Sequence, residues 1–193
     1  AVSLPNGDVV FIGGQNSSGA LNSIELYKNG ALTAGPNMAS PRVHADAVLL
    51  PALNAIAISG GYNTAVQAPN YGASLDTIEF FMINTDQMQY CPNILMHESR
   101  GLHRMAALTD DEFLIVGGLG ENGLPLNSAE KVSVTSLSNC NVYPQYTTGP
   151  MQIERASFAL TKLAGGDVFV VGGMTSSTAT TNIAEYYVIP RFE

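Results

Sequence analysis

Few side chains in these 193 residues have chemistry to offer: 16 acids, 8 bases, 3 histidines and 2 cysteines. Four of the acids, Glu25, Glu79, Glu130 and Glu185, recur at matching places along the chain. Carboxylates of this kind, gathered in one cleft, would suit general acid–base work. A residue that returns in every segment serves the segment instead, and Arg42, Arg100 and Arg155 recur in step with the glutamates. Their expected role is to hold strands together through charge-assisted hydrogen bonds. Loss of Glu130 should then weaken the fold.

The other candidates point to structure as well. His44, His97 and His103 are scattered, and His44 and His103 fall at matching repeat positions. They are read as structural histidines, with no metal site assigned. Asp110-Asp111-Glu112 is the densest acidic cluster but lacks the ligand spacing of a calcium loop, so it reads as a solvated turn. Cys91 and Cys140 are too few for a disulfide framework. They are expected as semi-buried free thiols, with a bond between neighbouring repeats as the alternative. No Gly-x-Ser-x-Gly elbow, phosphate-binding loop or His-Glu-x-x-His is present. No catalytic residue and no cofactor are assigned.

Composition narrows the partners. Charged residues are 12% of the chain, against roughly 25% in ordinary soluble domains, and the formal charge is −8. An acidic surface repels phosphate backbones and anionic lipid, which excludes nucleic acid as an expected partner. No apolar run approaches the ~20 residues of a bilayer-spanning helix, so no membrane insertion is expected. Scarce lysine, many Ser, Thr and Asn, and the sequon Asn16-Ser17-Ser18 lean towards an extracellular or secretory-pathway protein, with a cytoplasmic one as the alternative.

What must position these residues is a repeat. An apolar run ending in Gly-Gly occurs four times, at Gly13-Gly14, Gly60-Gly61, Gly117-Gly118 and Gly172-Gly173. Met-x-x-x-Arg precedes three of them, from Met38 to Arg42, Met96 to Arg100 and Met151 to Arg155. From Arg to the first Gly is 18, 17 and 17 residues, and from that Gly to Glu is 12, 19, 13 and 13. Three features repeating in register outweigh any one alone. The runs before each doublet are short and rich in Val, Ile and Phe, which reads as buried strand. A second strand type is expected over 42–50, 102–108 and 155–163, and a third over 24–27, 78–81, 129–134 and 183–189. A looser fourth lies near 31–34, 87–91 and 139–143. The expected class is all-β, with four recognisable four-stranded antiparallel units at about 1–37, 38–95, 96–150 and 151–193. One such unit buries too little to stand alone, and fanning copies around an axis buries both faces of each sheet.

These motifs resemble the kelch repeat family. Glu25-Leu26-Tyr27, Glu79-Phe80-Phe81 and Glu185-Tyr186-Tyr187 are similar to its Glu-x-Tyr segment, and Pro150-Met151 through Arg155 to its boundary motif. The resemblance implies a kelch-type β-propeller over nearly the whole chain, a domain of the kind that galactose oxidase also carries. Where the family has a Trp, this chain has Leu32, Tyr90 and Gln145, so lighter packing between blades is expected. Leu4 to Asp8 aligns with Leu163 to Asp167, which leaves the first and last units incomplete. The expectation is therefore a piece of a larger ring or assembly.

The departure from regularity lies in the second unit, where six or seven extra residues fall between the doublet and Glu79. Loops bearing such insertions tend to share one face and to bind. Tyr62, Asn63, Asn70 and Tyr71 are the candidate binding residues, with amides and polar-tipped rings suited to peptide or sugar. The expected function is a non-catalytic protein-interaction or assembly scaffold, its partner a protein or another copy. The alternatives are an exported carbohydrate-binding propeller and a fragment of a copper-oxidase-like propeller. No copper ligand carries over from that group.

Overall fold

Runs of β-branched and aromatic residues ahead of each glycine doublet become strands in the computed structural model, which describes residues 1–65, 72–142 and 146–188. Within them the chain is all-β, with no α-helix and hence no helix long and apolar enough to cross a membrane. Four antiparallel sheets follow one another in chain order. The first holds β1 (Val2–Ser3) and β2 (Val9–Ile12). An outlying hairpin of β3 (Gln15–Asn16) and β4 (Gly19–Ala20) comes next. Then β5 (Ser23–Lys28) and β6 (Ala31–Asn37) complete the order β1-β2-β5-β6. The second sheet runs β7 (Asp46–Leu50), β8 (Ala55–Ser59), β9 (Thr77–Met82) and β10 (Gln87–Leu95), each beside the next. The third has β11 (Arg104–Ala107), β12 (Glu112–Val116) and β13 (Ala129–Ser136). Two short strands, β14 (Asn141–Val142) and β15 (Tyr146–Thr147), both pair with β13. The fourth has three strands, β16 (Ala159–Lys162), β17 (Val168–Val171) and β18 (Ala184–Tyr187).

The first and last sheets are thus the reduced ones, β1 having two residues and the fourth sheet no outer strand among the described residues. The aligned turns also match. Leu4 donates its N–H to the Asp8 carbonyl at 2.8 Å, and Leu163 donates to Asp167 at 2.8 Å. The strands expected from residues 42, 102 and 155 instead begin at Asp46, Arg104 and Ala159. The residues two after each arginine, His44, Leu102 and Ser157, have φ of 56°, 57° and 51° and turn the chain before the strand starts. Leu102 donates to the His44 carbonyl at 3.0 Å and Ser157 to the Leu102 carbonyl at 2.9 Å. These two bonds link sheets two, three and four just ahead of their first strands. Those strands lie side by side, β7 beside β1 and β11, and β11 beside β16.

The core lies between successive sheets, and the period-2 alternation of strands puts it there. In β8, Ile56 and Ile58 pack towards the first sheet with Val10, Ile24 and Phe81, whereas Ala55 and Ala57 pack towards the third. In β12, Phe113 and Ile115 join the second sheet's cluster with Phe80 and Ile94, whereas Leu114 and Val116 face Phe158, Val168 and Val170 of the fourth. The two middle sheets are buried on both faces. The outer ones are not: Phe11 of β2 is 43% exposed and Val171 of β17 is 36% exposed. The four sheets do not close into a ring among the described residues. At the positions aligned with the family's Trp, Leu32 and Tyr90 are more than half exposed, and Gln145 lies outside the described residues.

The expectation of free thiols is corrected. Cys91 on β10 and Cys140 in the turn after β13 form a disulfide, their Cα atoms 5.3 Å apart. Cys91 is buried in the cluster between the second and third sheets, and Cys140 packs on that cluster from the next repeat. Proximity set by the repeat, not spacing in sequence, makes the pair.

Candidate functional site

The recurring glutamates and arginines meet as ion pairs, three times in one geometry. Arg42 lies 2.7 Å from Glu79, Arg100 2.5 Å from Glu130, and Arg155 2.5 Å from Glu185. Each arginine also donates through Nη1 to the carbonyl of the first glycine of a doublet, Gly60, Gly117 or Gly172, at 2.8 Å. Each glutamate in turn accepts two backbone N–H groups from the segment ahead of its arginine. Glu79 takes Ala39 and Ser40, Glu130 takes His97 and Glu98, and Glu185 takes Gln152 and Ile153. All three arginine side chains are fully buried. Burial pushes the pKa of Arg42 and Arg100 down, and the neighbouring carboxylates oppose that push.

The arginine backbone faces the other way, onto the preceding sheet. The second glycine of that sheet's doublet donates to its carbonyl, Gly14 to Arg42 at 2.8 Å, Gly61 to Arg100 at 2.9 Å and Gly118 to Arg155 at 2.9 Å. The first glycine lies beneath the same carbonyl. A Cβ on Gly13 or Gly60 would overlap it, and one on Gly117 would come within 2.6 Å. Met-x-x-x-Arg and Gly-Gly are therefore two halves of one joint between sheets, and the joint is architectural.

His103 belongs to the same architecture. It follows the left-handed residue Leu102, so it occupies the place of Ala45 and Phe158 and not that of His44. Its Nε2 lies 2.8 Å from the Ser59 hydroxyl, in full burial. Desolvation, and then the charges of Arg100, Arg104 and Arg42, lower its pKa to about 3. In the acidic turn, Glu112 is tied to Lys131 at 3.1 Å and to the Ser133 hydroxyl.

The four residues expected to bind divide. Tyr62 is wholly buried, against the expectation of a surface ring. It bridges Val43 and Ser74, as Leu119 bridges Gly101 and Pro125 and Met174 bridges Ala156 and Thr180. The position just after the doublet is structural in each of these sheets, and the tyrosine ring fills space that Gly101 leaves open. Asn63 is exposed at the start of the inserted loop. Asn70 and Tyr71 lie outside the described residues.

Beside this loop runs an open-sided groove of about 510 Å³. One wall is His97, Glu98 and Ser99 from the joint segment, and the other is Gly120, Glu121, Asn122 and Leu126 from the third sheet. The second wall is the third repeat's counterpart of the inserted loop, since both connect the second strand of a sheet to the third. The Ser74 hydroxyl donates to Ser99 at 2.8 Å, which places the end of the inserted loop against the groove. Glu98 is held by the Ser128 hydroxyl and, at 3.3 Å, by Arg100, with about half of its side chain exposed. Glu121 is exposed and forms no ion pair among the described residues. The groove thus offers two carboxylates and the Asn122 amide to a hydrogen-bond donor or a cation. Loop length pointed at residues 62–74 and passed over this wall. The signal that finds it is the shared position of the loop in the repeat.

No protein-family model matches the chain, and a search of curated proteins finds no match.

Proposed function

We propose that this chain is a non-catalytic protein-interaction module of kelch-type propeller architecture, which binds through the loops joining second and third strands. The observation that carries the reading is the acidic groove between Glu98 and Glu121, bordered by the inserted loop through Ser74 and Ser99. Its occupant is an extended polypeptide segment bearing Lys or Arg, attracted to the two carboxylates and anchored by amide hydrogen bonds from Asn63 and Asn122. The propeller reading is supported by the side-by-side first strands and by core layers between successive sheets. An exported protein is supported by the Cys91–Cys140 disulfide, because such bonds persist in oxidising compartments. Asn16 of the sequon is exposed on the β3–β4 hairpin, in keeping with that compartment.

A peptide-display selection against the full chain tests this. Enriched sequences should be rich in Lys and Arg. They should lose at least about tenfold in affinity on the doubly substituted Glu98→Gln, Glu121→Gln protein, provided its melting temperature is kept. Enriched peptides that bind the variant equally well overturn the reading. A glycan-array signal lost on the same variant, with no peptide enriched, would replace it with the carbohydrate-binding alternative.

A further inference from the structure

In the first sheet the connection from second to third strand is the β3–β4 hairpin, the counterpart of the inserted loop and of the groove's second wall. Its base is fixed. Leu21 donates to the Gly14 carbonyl at 2.8 Å, Arg42 donates to the Leu21 carbonyl at 2.9 Å, and Ala20 packs on Val43 and Tyr62. Its tip is open to solvent, with Asn16, Ser17 and Ser18 all exposed. Gly19, with φ of 138°, closes the turn opposite Asn16. Within the turn the Asn16 Oδ1 accepts the Ser18 N–H at 2.8 Å, and no described residue accepts from the Asn16 Nδ2 or pairs with the Ser18 hydroxyl. Of the chain's asparagines, only Asn16 stands two residues ahead of a Ser or Thr. Asn63 and Asn122, exposed in the matching loops of the next two sheets, lack that hydroxyl.

We infer that Asn16 is the acceptor of one N-linked oligosaccharide. Asn-x-Ser/Thr is the acceptor pattern of that modification, and here it occupies a hairpin tip clear of the four sheets, where a bulky polar group costs no packing. The co-reactant is an oligosaccharide carried on a lipid pyrophosphate. The Asn16 Nδ2 attacks its anomeric carbon, the bond from that carbon to the phosphate oxygen breaks, and the lipid pyrophosphate leaves with the electron pair. A carbon–nitrogen bond takes its place and the amide gives up one proton. The inference rests on the exported reading above, which the Cys91–Cys140 disulfide supports independently of the sequon. The glycan stands on the first-sheet side of the inserted loop, where Ala20 meets Tyr62, and the groove lies on the other side, where Ser74 meets Ser99. It borders the binding face without filling the groove.

The test routes the full chain through the secretory pathway of a eukaryotic cell and reads its intact mass before and after treatment with peptide N-glycosidase. One N-glycan per chain is expected, removed by the enzyme with aspartate left at position 16. The mass shift should be lost in Asn16→Gln and equally in Ser18→Ala, which keeps the amide and removes only the hydroxyl. Both residues are exposed, so both proteins should keep the parent melting temperature. An unmodified parent chain overturns the inference. If that chain holds the Cys91–Cys140 bond, the exported reading still stands; if its thiols are free, that reading falls as well. A shift retained in Ser18→Ala, or carried by another residue, also overturns the inference. The Glu98→Gln, Glu121→Gln protein should carry the same glycan, which separates failure here from failure of the groove.

Discussion

Glu130 and Arg100 show how much one residue carries. The carboxylate accepts from the guanidinium and from two backbone N–H groups, and all of it is out of water. A buried ion pair adds little over a well-packed apolar one, but removing one partner leaves the other charge stranded. Glu130→Ala should therefore destabilise the protein by about 3–5 kcal/mol, read as a loss in urea unfolding free energy. An unchanged unfolding midpoint would show that the pair is ornamental. The residue types were legible in sequence, since a repeated acid in step with a repeated base reads as a structural pair. The pairing was less so. That each arginine serves the sheet it leads into depends on where the chain turns at the left-handed residue after it.

At the scale of elements, what joins one sheet to the next is a small set of contacts at the strand beginnings, and His103 is one of them. Its imidazole ring lies against Gly60 of the second sheet, as the Phe158 ring lies against Gly117 of the third. The folded protein holds this imidazole neutral down to about pH 3, while in the unfolded chain it protonates near its ordinary value of 6.5. Between those values the unfolded state binds the extra proton, so the contribution to stability is intact above pH 6.5 and drains away as pH falls towards 3. The loss is on the order of 1 kcal/mol per pH unit. His103→Phe, copying the neighbouring repeat, should flatten the fall in unfolding midpoint between pH 6.5 and 4, and His103→Gln should do the same if the phenylalanine overpacks. A slope equal to that of the parent protein in both would remove the histidine from the account. Strand existence was legible from short β-branched runs ended by glycine. Strand beginnings were not, because nothing in the residue types of His44, Leu102 and Ser157 marks a positive φ.

Across the whole molecule, the disulfide fastens the second sheet to the third. It closes a loop of 49 residues in sequence. Closing a loop of that length in the unfolded chain is worth about 2–4 kcal/mol. Replacing both Cys91 and Cys140 with Ser should lower the unfolding free energy by that amount without changing the circular dichroism of the folded state. No change in stability would mean that the interface between these sheets is held by packing alone. The middle sheets bury both faces and the outer ones bury one, so hydrogen exchange protection should follow the same order.

By itself the sequence determined the repeat and the all-β class with its antiparallel sheets. Each of these follows from local period and from glycine placed where a side chain cannot go. Three things waited on the tertiary structure. Tyr62 went from candidate contact to buried bridge, because the residue after the doublet is caught between two strands whatever its chemistry. Cys91 and Cys140 became bonded, because adjacent repeats bring together residues that sequence holds 49 positions apart. The groove at Glu98 and Glu121 appeared only when loops from neighbouring repeats stood side by side. Local pattern reports what a strand is made of; which surfaces face each other is a property of the packing between sheets.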